Sequence, residues 1–143
     1  MKIRHLEFWP VKMRLVEPYT IAYERIESST NVFLRIVTNQ GVIGYGCAAP
    51  DVQVTGETAE TVMNICTEYL EPALKGSDPL RYALLLERLK PILNTNPSAV
   101  AMADMALYDI LGKVSGLAVY NLLGGFRTRI KTSITIVDSI IIT

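Results

Sequence analysis

The 143-residue sequence has one histidine and two cysteines, too few for most of the chemistry those residues carry. His5 lies near the start of a strand pattern with no second nitrogen or thiol ligand beside it, so a surface or edge position is expected rather than a general base. No Ser-His-Asp triad can be assembled without it. Cys47 and Cys66 lack metal-ligand spacing and read as buried free thiols, not as a disulfide or a zinc pair. Charge of one sign is also missing: fourteen Lys and Arg balance fourteen Asp and Glu, which removes the basic footprint of a nucleic-acid binder. No apolar run approaches the roughly 20 residues that span a bilayer, and MKIRHLEFWPVK lacks the apolar stretch of a signal peptide. No membrane role and a cytoplasmic location are the resulting expectations. GYGCAAP and LLGG contain glycines but neither G-x-G-x-x-G nor G-x-x-x-x-G-K-[ST], so nucleotide binding is unsupported.

What remains is a chain half apolar and a fifth charged, of a size that buries a real core. Trp9, Val11, Met13 and Leu15 alternate with polar residues and Pro10, the period of a half-buried strand. Leu6 and Phe8 stand in the opposite phase, which predicts a bulge or face switch near Phe8 and Trp9. VEPYTIAYERIESST has no clean period and reads as a loop of functional length. NVFLRIVTNQGVIGYGCAAP reads as a hairpin: Val32, Leu34 and Ile36 share a face, residues 38–41 turn, and residues 42–47 return. Gly44 and Gly46 in the return strand signal close backbone approach or a bulge.

Beyond Pro50 the pattern becomes helical. Thr55 is the expected cap of a first helix, with Glu57 and Glu60 in its first turns and Val62, Ile65, Cys66, Tyr69 and Leu70 on its apolar side. Asp78 and Pro79 predict the start of a second helix, carrying Tyr82, Leu85, Leu86 and Leu89, which Pro91 closes or kinks. A third runs from Asn96 or Ser98, places Lys113 near its negative end and stops at Gly116. A short helix through LAVYNLLGG and a β-branched stretch, IKTSITIV, follow. The fold class is therefore α+β: a three-stranded antiparallel meander followed by a helical bundle.

Two aspartates interrupt the third helix. Five residues turn a helix by about 500°, so Asp104 and Asp109 project roughly 140° apart and cannot jointly grip one ion. Their neighbours Ala99, Ala103, Ala106, Leu107, Ile110 and Leu111 make a wide apolar stripe, so a paired, structural role is expected. The expected partners are backbone donors at a helix start, or Arg127 or Arg129. On the long loop, Tyr19, Tyr23 and Arg25 are available to close over a ligand, with Arg25 suited to a carboxylate, or to pin the loop down.

The segments NVFLRIVTNQGVIGYGCAAP, VTGET, SAVAMADMALYDILGKVSGLAVYNLLGG and TSITI together resemble the capping domain of the enolase superfamily, in its muconate-lactonizing-enzyme and dipeptide-epimerase subgroup. Its most specific element is A-x-D-x-A-L-x-D-x-x-G-K followed by L-x-V-Y-x-L-L-G-G. The resemblance implies a cap over residues 1–125, and over residues 126–143 a linker and the first strand of a truncated TIM barrel. Two cap loops, near residues 18–28 and 49–56, would then select a small carboxylate or dipeptide substrate. It further implies a Mg²⁺-dependent isomerase that abstracts a proton α to a carboxylate. The lysine bases and three acidic Mg²⁺ ligands belong to later barrel strands, so this chain alone is expected to be inactive. Thr135 matches a substrate-contacting threonine, and with Arg25 and Tyr19 completes the implied substrate-binding set. Cys47 replaces a usual acidic residue after G-x-G, and Glu24 with Arg25 occupies the region of a substrate-binding arginine. A homo-oligomer is expected. The alternative is a stand-alone binding or self-assembly module that kept the cap fold, cued by the apolar ITIVDSIIIT.

Overall fold

The computed structural model describes residues 1–21 and 24–132. Three antiparallel strands, β1 (Ile3–Ile21), β2 (Glu24–Thr38) and β3 (Ile43–Ala48), form one sheet in the order β1-β2-β3. The expected meander is present. Along β2 the alternation is strict: Val32, Leu34, Ile36 and Thr38 are buried on one face, while Asn31, Phe33, Arg35 and Val37 point to the other. At the β2–β3 turn Gly41, at φ 79°, donates its N–H to the Thr38 carbonyl, a left-handed position suited to glycine.

β1 and β2 are far longer than the sequence pattern suggests. The stretch expected to be a loop is the outer half of a hairpin in which Tyr19 pairs with Ile26 and Thr20 with Arg25. Between Arg14 and Tyr19 the register shifts, and residues 15–18 of β1 lie opposite Glu27 alone. That irregularity hides the two-residue period. Pro10 and Pro18 are admitted because β1 is an edge strand. No break occurs at Phe8 and Trp9, where the register runs unshifted from His5 to Arg14; the extra residue lies between Ile3 and His5. It lets Ile3 and Leu6 both face the core. Trp9 and Met13 do alternate as expected, but on the uncovered face, where Trp9 stacks on Phe33 with centroids 6.0 Å apart.

The helical layer begins later than Thr55. Thr58 caps α1 (Ala59–Ile65) through a reciprocal pair with Thr61, and Thr55 instead closes the preceding turn. A π-helical turn, Cys66–Leu70, joins α1 to α2 (Glu71–Leu74). Its cause is packing phase. The buried residues Val62, Cys66, Leu70 and Leu74 recur every four positions, and in a pure α-helix each step of four drifts about 40°. The wider turn absorbs that drift and keeps all four against the core. Asp78 does not cap the second helix. Its carboxylate accepts the Leu80 N–H and its carbonyl the Arg81 N–H, forming a turn before α3 (Tyr82–Leu93), which accommodates Pro91 in its last turn.

α4 (Pro97–Ser115) follows Asn96 and ends at Gly116, left-handed at φ 69°, as expected; the short α5 (Val119–Leu122) follows. α4 lies directly on β3. A Cβ on Gly46 would overlap the Met102 carbonyl oxygen and stand 2.8 Å from its carbon, and one on Gly44 would overlap the Ala106 carbonyl and stand 2.6 Å from Ile110 Cγ1. The two glycines therefore mark the close approach anticipated. Ala99, Ala103 and Ala106 supply the matching small residues on the helix, and all are fully buried.

Candidate functional site

Strand direction fixes where the variable segments gather. β3 pairs with β2 from Val37↔Ile43 to Val32↔Ala48, so it leaves the sheet heading toward the β1–β2 hairpin tip. The segment after β3 and the hairpin tip therefore lie at the same end of the sheet. β2 extends from Asn31 to Glu24 past the end of β3, a projection of roughly 25 Å at about 3.3 Å per residue.

The segment after β3 is tightly built. Asp51 Oδ1 accepts the N–H groups of Gln53 (2.8 Å) and Val54 (3.1 Å), and the Asp51 carbonyl accepts those of Thr55 and Gly56. Thr55 Oγ1 donates to that same carbonyl at 3.0 Å and accepts the Asp51 N–H at 3.1 Å. This network holds Val52 and Val54 in solvent, 60% and 81% exposed, at the end of the sheet where Val16 on the β1 irregularity is also fully exposed. The turn thus presents apolar side chains to solvent at that end.

Glu57 leaves this turn inward. It is 1% exposed, and its carboxylate accepts the Ser98 N–H at 2.9 Å and the Ala99 N–H at 3.4 Å, at the start of α4. Asn96 provides no side-chain cap there, so Glu57 does that work from 41 residues upstream. It is not a first-turn acid of α1, and sequence reasoning missed its role. The available signal was an acidic residue just before a helix that already has Glu60 in its first turn.

Asp109 and Asp104 are structural neighbours of different kinds. Asp109 Oδ2 accepts the Tyr45 N–H at 2.9 Å and the Lys113 ammonium at 2.7 Å, and Lys113 also donates to the Ile43 carbonyl at 2.8 Å. The partner is thus an edge strand's backbone, not a helix start, Arg127 or Arg129. Asp104 is half-buried with Oδ1 unpartnered, and burial raises its carboxyl above the usual range. It sits beside the Tyr82–Tyr108 pair, ring centroids 5.1 Å apart, where the neighbouring Tyr82 hydroxyl and burial hold the Tyr108 hydroxyl above its ordinary value.

His5 is surface-exposed, with Nε2 3.3 Å from Glu7 Oε1. Cys66 is buried as expected, whereas Cys47 is only half-buried and accepts a weak bond from Asn31 Nδ2 at 3.5 Å. Tyr19 is 40% exposed and pairs with Ile26, while Arg25, on the adjacent pair, points to the other side of the hairpin and meets Glu27 at 3.0 Å. Thr135, the IKTSITIV strand from position 133 on, and the apolar tail lie outside the described residues. Among the described residues no three His, Cys, Asp or Glu side chains converge as a metal site.

The sequence profile of the mandelate racemase / muconate lactonizing enzyme N-terminal domain matches residues 4–124. The chain belongs to that family. It is an enolase-superfamily capping domain by fold as well as by sequence. It is 40% identical over 136 residues to the L-Lys-D/L-Arg epimerase of Desulforapulum autotrophicum, covering 95% of this chain and 38% of that protein. The L-Ala-D/L-Glu epimerase of Bacillus subtilis is 32% identical, covering 95% of this chain and 37% of that protein. The crystal structure of the dipeptide epimerase from Enterococcus faecalis, complexed with Mg and the dipeptide L-Leu-L-Tyr, superposes with a TM-score of 0.82 at 34% identity, covering 88% of this chain and 35% of that one. The chain thus spans under two-fifths of the length of the relatives it matches. Among the described residues, no helix is long and apolar enough to cross a membrane.

Proposed function

We propose that this chain is the substrate-selecting cap of a Mg²⁺-dependent isomerase that epimerises a dipeptide, or a similar small carboxylate, by removing the proton α to a carboxylate. One observation carries the reading: the sheet register sends the hairpin tip and the Asp51–Glu57 turn to the same end, with Val16, Val52 and Val54 exposed there. Residues 1–125 form the cap and residues 126–143 the linker and first strand of the barrel. The described donor set does not fit Mg²⁺, so no step of the reaction is assigned to these residues. The cap's part is to bind, orient and exclude water. Arg25, released from Glu27, grips a carboxylate and Thr135 contacts the substrate from the barrel side, while Tyr19, on the hairpin's other face, is not assigned to that contact. The whole protein is a homo-oligomer of the cytoplasm.

The test is a graft. Residues 1–125 of this chain replace the matching part of the D. autotrophicum epimerase, and solvent deuterium incorporation is followed across a panel of dipeptides. The expected hybrid is active with an altered order of dipeptide preference. A folded, active hybrid with an unchanged order refutes the selecting role. In parallel, the 143-residue chain with Mg²⁺ and the same dipeptides should incorporate no deuterium above background; incorporation would refute placing the chemistry elsewhere. Sedimentation separates the alternative module, which self-associates through its tail where the cap, cut after Arg129, does not.

A further inference from the structure

At the opposite end of the sheet, where β1 begins, the Gly76–Arg81 turn and α3 enclose a cleft of about 440 Å³. Its walls carry three cations, Lys2, Arg81 and Arg88. Arg81, at the end of the turn just before α3, and Arg88, on α3, both line the cleft. Lys2 faces them from the head of β1. The frame is fixed by backbone bonds: the Ile3 N–H donates to the Ser77 carbonyl and the Gly76 N–H to the Ile3 carbonyl, both at 2.9 Å. Arg88 is aimed by its own bond to Ser77 Oγ at 3.0 Å.

Among the described residues none of the three cations has a carboxylate within 4.0 Å. The single acid in the wall, Asp78, is engaged otherwise, by the Leu80 N–H at 3.1 Å and the Met1 amine at 3.9 Å. Three cations against one acid leave the cleft a net positive charge, a binding potential for an anion. A carboxylate would meet them with one charge and two oxygens. A phosphoryl group brings close to two charges and three oxygens, which two guanidinium forks and an ammonium can share. The volume lies within the range of small-molecule sites and exceeds what a bare phosphate fills.

We propose that this cleft binds the phosphoryl group of a small phosphorylated molecule through Lys2, Arg81 and Arg88. The 143-residue chain is titrated with inorganic phosphate and with pyrophosphate at low salt, followed by calorimetry and by backbone amide shifts. Saturable one-site binding is expected, with pyrophosphate tighter than phosphate and the largest shifts at Gly76 and Ser77. The double variant Arg81→Gln/Arg88→Gln should lose at least about tenfold in affinity, and Lys90→Gln, on α3 outside the cleft, should change it by less than about twofold. If the double variant fails to fold by circular dichroism, Lys2→Gln replaces it, with a loss of about fivefold. Absence of saturation by about 10 mM of either anion, or a folded variant that binds as the parent does, overturns the proposal. Acetate competing as well as phosphate overturns the phosphoryl assignment.

Discussion

Replacing Glu57 isolates the contact that ties the post-β3 turn to the core. The side chain is 1% exposed and accepts two N–H groups, of Ser98 at 2.9 Å and Ala99 at 3.4 Å, both on buried residues at the positive end of α4. Glu57→Ala removes a charge-assisted acceptor and leaves those donors without water. Each orphaned donor costs about 1–3 kcal/mol, and the lost helix-end charge up to about 2 kcal/mol more. Relief from burying a carboxylate offsets part of this, so a net loss of about 2–4 kcal/mol is expected. Glu57→Gln keeps one acceptor oxygen and should lose about half as much. Glu57→Asp is shorter by a methylene and should resemble alanine. Urea unfolding at pH 7 reads the stabilities, and amide hydrogen exchange at Ser98 and Ala99 reads the contact itself. An alanine variant within about 0.5 kcal/mol of the parent, with exchange at those two amides unchanged, would refute the assignment.

Gly46→Ala forces a methyl against the Met102 backbone, which cannot rotate away, and should cost about 3 kcal/mol or more in urea unfolding; a cost below about 1 kcal/mol would mean α4 does not sit on β3 as described. Asp104 has its carboxyl raised by burial, so the folded state favours the protonated form and its contribution to stability is lost as pH rises through the folded value. Asp104→Asn should therefore stabilise the chain at pH 7, by less than about 1 kcal/mol because the site is half-open to water, and the gain should vanish below pH 3.8. Burial, reinforced by the charge of Glu57, pushes the Cys66 thiol up to about 12. At pH 8 a thiol reagent should then label only Cys47 in the folded chain and both cysteines in urea. Stability should also fall between pH 9 and 12, by up to about 1.4 kcal/mol per unit, and Cys66→Ala should flatten that fall.

Much of the fold was legible because local and tertiary demands agree. The inner half of β2 from Asn31 is strictly alternating and α4 is bounded by Asn96-Pro97 and Gly116, so period and punctuation alone locate both. The hairpin was not legible, because four residues of β1 opposite one of β2 break the period that identifies a strand. The start of the helical layer was ambiguous for another reason: Thr55 and Thr58 are equally good caps in isolation. Only the Asp51 network, which needs Thr55 to close the turn, decides between them. Asp78-Pro79 misleads in the same way, since a turn and a helix start use the same two residues. For the candidate site the limit is physical. Tyr19 and Arg25 are six apart in sequence, yet which side of the hairpin each occupies depends on the register beyond the irregularity.

Asp109 of the A-x-D-x-A-L-x-D-x-x-G-K stretch shows how a motif residue can be architectural. β3 is an edge strand, and its outward Tyr45 N–H and Ile43 carbonyl would otherwise be open to pairing with another chain. Asp109 occupies the first and Lys113 the second, and their own pairing at 2.7 Å, one helical turn apart, holds both in place. Lys113 also lies 5.4 Å from the centroid of the Tyr45 ring. Closing an edge with side chains requires the helix to run very near the strand, and Gly44 and Gly46, against the backbone of Met102 and Ala106, supply that proximity. The small residues and the charged pair are therefore one device: the first lets α4 approach, and the second uses the approach to seal the sheet. Asp109 Oδ2, serving a backbone donor and an ammonium together, thus stabilises the frame from which the hairpin and the Asp51 turn project.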